Sequence, residues 1–239
     1  ETWRREPESF PDALLLKNAI PGWISEVMDV TADWVRSLQD VPPVWIRARM
    51  AKAAWLAQSS TLARDLRPAS EEVGAALPAA MVYRGSEDLF RTGEFGAGVF
   101  EIQDLASQLV GHACAPAPGE TWWDACAGEG GKLLHLSDLM QNRGLIWASD
   151  RSMRSLVQLR RRAARAGCFN YRSVPWEGGL RPPTKTKFDG VLVDAPCSGV
   201  GTWGRNPHAR WTTTPADVKE LADRQLSLLR GVAGSVKPG

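Results

Sequence analysis

An acid and a thiol stand three residues apart at the end of an apolar run. Asp194-Ala195-Pro196-Cys197 follows the segment 188–193, which the sequence predicts to be a strand. Because proline fixes the turn, the strand end delivers a carboxylate and a thiol to one place. A cysteine attacks as its thiolate, so this pair suits chemistry on a ring carbon or a carbonyl.

A glycine-rich loop lies upstream, between a short predicted strand and a predicted helix. Glycines let the backbone turn tightly and approach a ligand closely, and the first N–H groups of the following helix point at the same place. The spacing matches neither a dinucleotide fingerprint nor a phosphate-binding loop, and the acid inside the loop disfavours a pyrophosphate. The loop residues are Cys126, Ala127, Gly128, Glu129, Gly130, Gly131 and Lys132.

The next predicted strand ends at Asp150. A carboxylate at that position can accept hydrogen bonds from both hydroxyls of a ribose. A glycine loop without a phosphate site, together with this acid, favours S-adenosylmethionine over NAD as the cofactor. The alternative is a structural strand–helix turn followed by a surface aspartate.

With such a cofactor, the thiolate of a cysteine can add to C6 of a pyrimidine and turn C5 into a carbon nucleophile for the methyl group. Covalent catalysis of this kind splits one difficult step into two easier ones. Asp194 would hold the Watson–Crick edge of the base. The alternative for Cys197 is a small buried apolar side chain.

The second half of the chain alternates strands and helices. Alternation of this kind predicts a parallel sheet covered by helices. Right-handed crossovers bring the carboxyl ends of the strands to one edge, where ligands bind, and both motifs fall at that edge. The predicted strands are 121–126, 145–149, 170–174 and 188–194, and the predicted helices are 131–140, 153–166 and 215–236.

The first half is less regular. We expect a smaller α/β region over residues 1–90 and a second domain over residues 91–239, with a boundary within 75–95. The predicted elements of the first part are a helix at 21–39, a strand at 44–47, a helix at 51–66, a loop at 68–74 and a strand at 79–83.

The two motifs resemble those of the RsmB/Sun family of RNA cytosine C5 methyltransferases. The resemblance covers roughly residues 94–239, and residues 1–90 resemble the family's small RNA-recognition-like region only loosely. Further matching segments are Glu101 to Ser107, Arg205-Asn206-Pro207 with Trp211, Gln225, and Lys237-Pro238-Gly239.

The resemblance implies a Rossmann-like class I methyltransferase with a mostly parallel sheet, preceded by that smaller α/β region. It also implies S-adenosylmethionine as methyl donor and a cytosine in rRNA or tRNA as acceptor, and of these two RNAs we expect rRNA. The loop 126–132 would hold the methionine and ribose side of the cofactor, Asp150 the ribose hydroxyls, and Asp194 would border cofactor and target base. Where the family usually has an acid near the adenine, this chain has Trp176, which we expect to stack on the adenine.

The family carries two cysteines. The resemblance implies that Cys197 assists release of the product, whereas the attacking thiol is expected in a later motif beyond Gly239. The domain would then lack its last strands. In DNA cytosine methyltransferases the Pro-Cys cysteine attacks instead, but the rest of this sequence does not resemble them.

Several residues are candidates for contact with RNA. A base methylated at C5 must leave its stack or come from a single strand, and Trp203 or Trp211 could stack on it. The candidates beside the target nucleotide are Arg205, Asn206, His208 and Arg210. A second set would contact phosphates or form a solvated helix face: Arg151, Arg154, Arg160, Arg161, Arg162 and Arg165.

The composition limits the class of protein to which this chain can belong. The chain has 239 residues, 44% of them hydrophobic, and a net charge of +2, which is compatible with RNA binding. Its four cysteines lack metal-ligand spacing, so we expect a reduced, cytoplasmic compartment and no metal. No long apolar run predicts a membrane span, and we expect a monomer.

The sequence therefore predicts an enzyme that transfers a methyl group from S-adenosylmethionine to C5 of cytosine in RNA through a covalent cysteine adduct. One alternative is a protein that binds RNA and S-adenosylmethionine without activity, as a chain that ends at Gly239 would be. Another is an NAD-type oxidoreductase, which the loop spacing and Glu129 disfavour.

Overall fold

The computed structural model describes residues 19–73 and 77–238. Contacts group the chain into two compact units, one of residues 43–195 and 227–239 and one of residues 1–42 and 196–226. Residues 1–18 and 74–76 of the predicted N-terminal region, and Gly239, lie outside the described residues. The predicted boundary within 75–95 stays a prediction, because grouping by contacts does not test whether residues 1–90 act separately.

The elements of the described residues are as follows. The strands are β1 (Val44–Ala48), β2 (Leu66–Pro68), β3 (Ala80–Tyr83), β4 (Phe100–Ile102), β5 (Thr121–Asp124), β6 (Leu145–Asp150), β7 (Tyr171–Pro175) and β8 (Gly190–Leu192). The α-helices are α1 (Ala32–Ser37), α2 (Ala53–Ser59), α3 (Ala69–Val73), α4 (Gly93–Gly96), α5 (Leu105–Cys114), α6 (Gly131–Leu139), α7 (Met153–Arg165), α8 (Ala209–Thr212) and α9 (Pro215–Ala233).

The larger unit contains an antiparallel sheet in the order β2-β3-β1-β4. Its central strands place Ile46 opposite Met81 and Ile102. All four residues of β3 are buried, which is why this strand is apolar at every position rather than alternating. Leu56 of α2 and Phe100 of β4 join the same apolar cluster.

The same unit contains a parallel sheet in the order β7-β6-β5-β8. Helix α6 connects β5 to β6, and α7 connects β6 to β7. Leu133 and Leu136 of α6 and Leu156 and Leu159 of α7 are fully buried against this sheet, and each contributes roughly 1.5–3 kcal/mol. The predicted Rossmann-like architecture with a parallel sheet is confirmed.

A second apolar cluster contains Trp123 of β5, Trp176 and Phe188. Leu228 and Val232, near the end of α9, complete it. The last turns of α9, which belong to the larger unit, therefore pack against β5.

The smaller unit is built around Trp203, which is fully buried. Trp23 meets its ring edge-on at 5.9 Å between centroids, and Trp34 packs at 6.3 Å. Offset and edge-on geometries of this kind are the favoured ones for aromatic rings. Val35 of α1 and Ile24 are buried in the same cluster.

Some predicted elements are wrong. The predicted helix 21–39 is a 3-10 turn at Gly22–Glu26 and a separate helix, α1. The reason is Thr31, whose hydroxyl accepts the amide of Trp34 and so starts a new helix. The predicted helix 51–66 ends early, since α2 stops at Ser59, and α3 occupies most of the predicted loop 68–74.

No helix within residues 19–73 and 77–238 has both the length and the apolar character needed to span a membrane.

Candidate functional site

The loop after β5 requires glycine. Gly128 and Gly130 have φ values of 52° and 86°, a left-handed region that other residues enter only with strain. A Cβ at Gly130 would also lie 2.8 Å from Cγ of Leu159 in α7. Helix α6 begins at the next residue, so its first free N–H groups open beside the loop.

Asp150, at the end of β6, holds this loop. Its Oδ2 accepts the Gly128 amide at 2.9 Å, and its Oδ1 accepts the Ser152 amide at 2.7 Å. A carboxylate has about four acceptor positions, so both bonds leave room for further donors. The predicted ribose acceptor therefore lies against the glycine loop.

A cleft of about 310 Å³ lies at this edge of the parallel sheet. Most of the predicted cofactor residues line it, whereas Gly130 and Asp150 support the loop from outside the lining. The lining residues are Ile102, Gln103, Asp104, Ser107, Asp124, Cys126, Ala127, Gly128, Glu129, Gly131, Lys132, Arg162 and Asp194.

Lys132 and Asp194 meet in the cleft. Nζ of Lys132 donates to Oδ2 of Asp194 at 2.6 Å and to the Ser107 hydroxyl at 3.4 Å. The lysine side chain is 14% exposed and the aspartate 50% exposed, so the carboxylate remains open to a ligand. The structure thus joins the acid of the cysteine motif to the last residue of the glycine loop.

Asp124 is a residue of the cleft to which the sequence analysis assigned no role. It ends β5, is fully buried, and neither oxygen accepts a well-formed hydrogen bond from the described residues. Burial raises its pKa to about 7, helped by the charge of Asp194, while Lys132 and the nearby Cys126 amide act in the opposite direction. Its position at a strand end, like those of Asp150 and Asp194, is the signal that could have found it.

A buried ion cluster positions α6. Arg47 of β1 is 1% exposed and donates to Gln103 at 2.7 Å and Asp138 at 3.1 Å. Arg49 donates to the same Asp138 at 2.8 Å, and Gln103 donates to the Gly131 carbonyl at 3.3 Å. Burial lowers the pKa of Arg47 to about 10. The antiparallel sheet therefore fixes the helix that begins at the loop.

Arg162 and Arg165 of α7 pair with a buried carboxylate, which corrects their prediction as solvated or phosphate-binding side chains. Arg162 donates to the buried Glu101 at 2.9 Å, and Arg165 pairs with the other oxygen of Glu101. The Arg165 guanidinium also lies 3.8 Å from the centroid of Phe95. The remaining members of the set are exposed: Arg151, Arg154, Arg160 and Arg161. Arg160 is exposed but donates from Nε to the Ser173 hydroxyl at 2.9 Å.

Trp176 is buried among protein side chains, which leaves its ring without the open face that the predicted stacking on adenine needs. Its indole is 8% exposed and packs on Trp123 with 4.9 Å between ring centroids. Its Nε1 donates to the Arg181 carbonyl at 2.9 Å. The apolar cluster beneath the sheet therefore occupies this side chain.

Cys197 belongs to the smaller unit and is exposed, which rules out the alternative of a buried apolar thiol. It lines a pocket of about 330 Å³ with Thr212, Thr213, Asp217 and Glu220. The carbonyl of the preceding Pro196 accepts the side-chain amide of Gln225 at 2.9 Å, so α9 holds the turn that carries the thiol.

The residues predicted to contact RNA fall into an exposed group and a buried group. Arg205, Asn206 and His208 are exposed, and so is Trp211, at 63%. Arg210 is a correction: its buried guanidinium donates to the carbonyls of Leu38 at 2.6 Å and Trp203 at 3.2 Å, where it cannot meet RNA. Trp203 is likewise enclosed in its cluster and unable to stack on a base.

Across the described part of the chain, no group of three or more His, Cys, Asp or Glu side chains is arranged to hold a metal ion.

Comparison with known sequences supports the motifs. The sequence model of the family described as 16S rRNA methyltransferase RsmB/F matches residues 112–239. A probable ribosomal RNA small subunit methyltransferase B of Synechocystis is 39% identical over 150 residues, which are 61% of this chain and 33% of that protein. The 28S rRNA (cytosine-C(5))-methyltransferase of Mus musculus is 33% identical over 65% of this chain and 20% of its own length. The mouse tRNA (cytosine(72)-C(5))-methyltransferase NSUN6 is 33% identical over 58% of this chain and 31% of its own length.

Solved structures share the fold. The crystal structure of PH0851 superposes with a TM-score of 0.84 and 30% identity, covering 96% of this chain and 54% of that one. NSun6 from Pyrococcus horikoshii superposes with a TM-score of 0.75 at 18% identity, over 97% of this chain and 82% of that one. The chain spans about a third of the length of the first curated relative.

Proposed function

The chain belongs to the RsmB/F family of 16S rRNA methyltransferases, and from this membership we propose that it methylates C5 of a cytosine in RNA, in rRNA rather than tRNA. The observation that carries the proposal is the Lys132–Asp194 pair at the cleft beside the glycine loop. Relatives named as cytosine C5 methyltransferases of rRNA and of tRNA support cytosine as the target base and C5 as the methylated atom.

The cofactor of the family is S-adenosylmethionine, and the residues of the cleft suit it. The buried carboxyl of Asp124, which lines the cleft, suits the cationic part of that molecule, and the free N–H groups at the start of α6 suit its carboxylate. Asp150 would take the ribose hydroxyls. When bound, the cofactor supplies an electrophilic methyl group.

Asp194 would select the base. A carboxylate accepts a hydrogen bond from the exocyclic amino group of cytosine, a group that uracil lacks. Nζ of Lys132 lies 2.6 Å from Oδ2 of Asp194 and so fixes the direction of the carboxylate. The Asp194 side chain is nevertheless half exposed, which leaves its other oxygen open to the base. Holding a reacting base in one orientation is a large part of what an active site contributes to rate.

We further propose a covalent cysteine adduct. A thiolate adds to C6 of the cytosine, and the electron density moves to C5, which then takes the methyl group. Loss of the C5 proton to a base restores the C5–C6 double bond as the carbon–sulfur bond breaks and the thiolate leaves. The exposed Cys197 is proposed to assist this last step, in the role that the resemblance gives it.

The exposed side chains that follow Cys197 would contact the RNA. Arg205 and His208 suit phosphates, and Asn206 suits a base edge. Trp211, 63% exposed, would stack on an unpaired base. Chemistry at C5 requires that the target base leave its stack or come from a single strand.

The test is methylation with purified RNA. The protein is incubated with labelled S-adenosylmethionine and, separately, with total rRNA and total tRNA, and the digested nucleosides are separated. Label in 5-methylcytosine from rRNA supports the proposal, and label only in tRNA overturns the preferred substrate. Binding of both ligands without transfer would support the non-catalytic alternative.

A further inference from the structure

We propose that a pocket next to the cofactor cleft binds an unpaired nucleotide of the RNA substrate, with the base on Phe90 and the phosphate on Arg161. The pocket has a volume of about 410 Å³ and is lined by Phe90, Phe95, Arg161 and Glu129, among others. The inference rests on the proposed function, since it names a second contact of the same RNA.

Phe90 presents its ring to solvent on a fixed support. It lies in a 3-10 turn at Leu89–Arg91, and the Asp88 carboxylate accepts its amide at 3.0 Å. The ring meets Phe95 edge-on with 5.1 Å between centroids, yet it is 66% exposed. A rigid, open aromatic face is what base stacking requires, and such stacking tolerates any base.

The neighbouring ring of Phe95 is covered by another side chain. The Arg165 guanidinium covers Phe95 at 3.8 Å, and Glu101 pairs with both Arg162 and Arg165. These groups therefore form a fixed wall. Arg161, in contrast, is exposed and makes no hydrogen bond or ion pair with the described residues.

The charge of the pocket suits an anionic ligand. Three arginines, at positions 161, 162 and 165, face two glutamates, at positions 101 and 129, so the lining carries a net positive charge. Because Glu101 offsets much of the positive charge of its partners Arg162 and Arg165, Arg161 is the cation of the pocket that remains for a phosphate. Glu129 is exposed at the rim and can accept a hydrogen bond from an amino group of a base.

The pocket adjoins the cofactor cleft. Ile102, Glu129 and Arg162 line both cavities, and all of them belong to the larger unit. A strand of RNA that places one base beside Asp194 can therefore extend along this shared wall. A single-stranded segment, which is one of the two forms in which C5 can be reached, has a base free to stack there.

The experiment measures binding of a short fluorescein-labelled single-stranded RNA containing cytosine, by anisotropy, to the protein and its variants. The variants are Phe90→Ala and Arg161→Ala, with Phe90→Tyr and Arg161→Lys as the versions that keep the ring and the charge. The matched controls are Phe169→Ala and Arg64→Ala, which alter exposed side chains elsewhere in the larger unit. Calorimetric titration with S-adenosylmethionine checks that each variant is folded.

We expect Phe90→Ala and Arg161→Ala to weaken RNA binding about fivefold to tenfold, while Phe90→Tyr, Arg161→Lys and the controls stay within twofold of the parent. Binding of S-adenosylmethionine should be unchanged in all of them. If the parent binds RNA and both alanine variants bind it equally well, this inference is overturned and the proposed function stands. If the parent binds S-adenosylmethionine but no RNA, the proposed function fails together with the inference.

Discussion

Lys132 and Asp194 are 62 residues apart in the chain, and their charged atoms lie 2.6 Å apart. One belongs to the first turn of α6, after the glycine loop, and the other follows β8. The pair exists because β5 and β8 are parallel neighbours, so that both strands end at the same edge of the sheet. It is the feature on which the proposed recognition of cytosine depends.

Replacing Lys132 should impair turnover more than folding. In Lys132→Met the carboxylate of Asp194 loses its partner and its fixed direction, and we expect kcat to fall by about 10²-fold. Methyl transfer to rRNA measures this. Lys52→Met, in the 3-10 turn at Met50–Lys52, is the control and should keep the parent kcat, and an unchanged kcat in Lys132→Met would contradict the assigned role.

Asp124 should make stability fall as pH rises. Its pKa is raised to about 7 by burial and by Asp194. Between about pH 4 and pH 7 the folded protein keeps a proton that the unfolded chain has released, so raising the pH through this range destabilises the fold, by up to the order of 4 kcal/mol. Melting temperatures from pH 5 to pH 8, without ligand, measure the effect.

In Asp124→Asn this part of the pH dependence should vanish, because the amide does not titrate. Asp33→Asn, which alters a surface ion pair with Arg36, should keep the parent profile. A parent protein whose melting temperature is flat from pH 5 to pH 8 would show that Asp124 is not held protonated.

Gly130→Ala should destabilise the loop through a clash as well as strain. The residue has φ 86° and its Cβ would meet Leu159 at 2.8 Å, so we expect a loss of about 1–3 kcal/mol and weaker binding of S-adenosylmethionine. Gly167→Ala is a matched control, since φ is 62° there and no atom lies within 4 Å of the added Cβ. Urea unfolding of both should show the larger loss for Gly130→Ala, and equal losses would refute the clash.

Breaking the buried ion cluster should cost more than breaking a surface pair. Asp138→Ala leaves Arg47 buried without its carboxylate, and the expected loss in free energy of unfolding is about 3–5 kcal/mol. Asp65→Ala, which removes the partner of the exposed Arg64, should cost less than about 1 kcal/mol. Denaturant titration of both variants makes the comparison, and similar losses would show that the cluster does not hold α6.

The sequence predicted the parallel sheet well because alternation of strands and helices is a local signal. The order of strands and helices also shows which residues follow the carboxyl ends of strands. The glycine loop, Asp150 and Asp194 were found because they occupy such positions. The cleft lining at Gln103 and Ser107 was not foreseen, since it depends on how the antiparallel sheet and α5 pack beside the loop.

The side chains that were misassigned owe their places to distant partners. Arg210 reaches a carbonyl 172 residues away in sequence, and no local pattern distinguishes it from the exposed Arg205. Trp176 packs on Trp123, and Arg165 pairs with Glu101, 64 residues away. Burial of a polar or aromatic side chain is a tertiary property, so periodicity alone could not separate these residues from surface contacts.

The most direct test of the central claim uses rRNA carrying tritium at C5 of its cytosines. Substitution at C5 must expel the hydrogen of that carbon, so incubation with S-adenosylmethionine should release tritium to water in step with the methyl groups incorporated. Asp194→Asn should reduce both by the same factor. Incorporation of methyl groups without release of tritium would place the reaction at another atom and contradict the proposed methylation of C5.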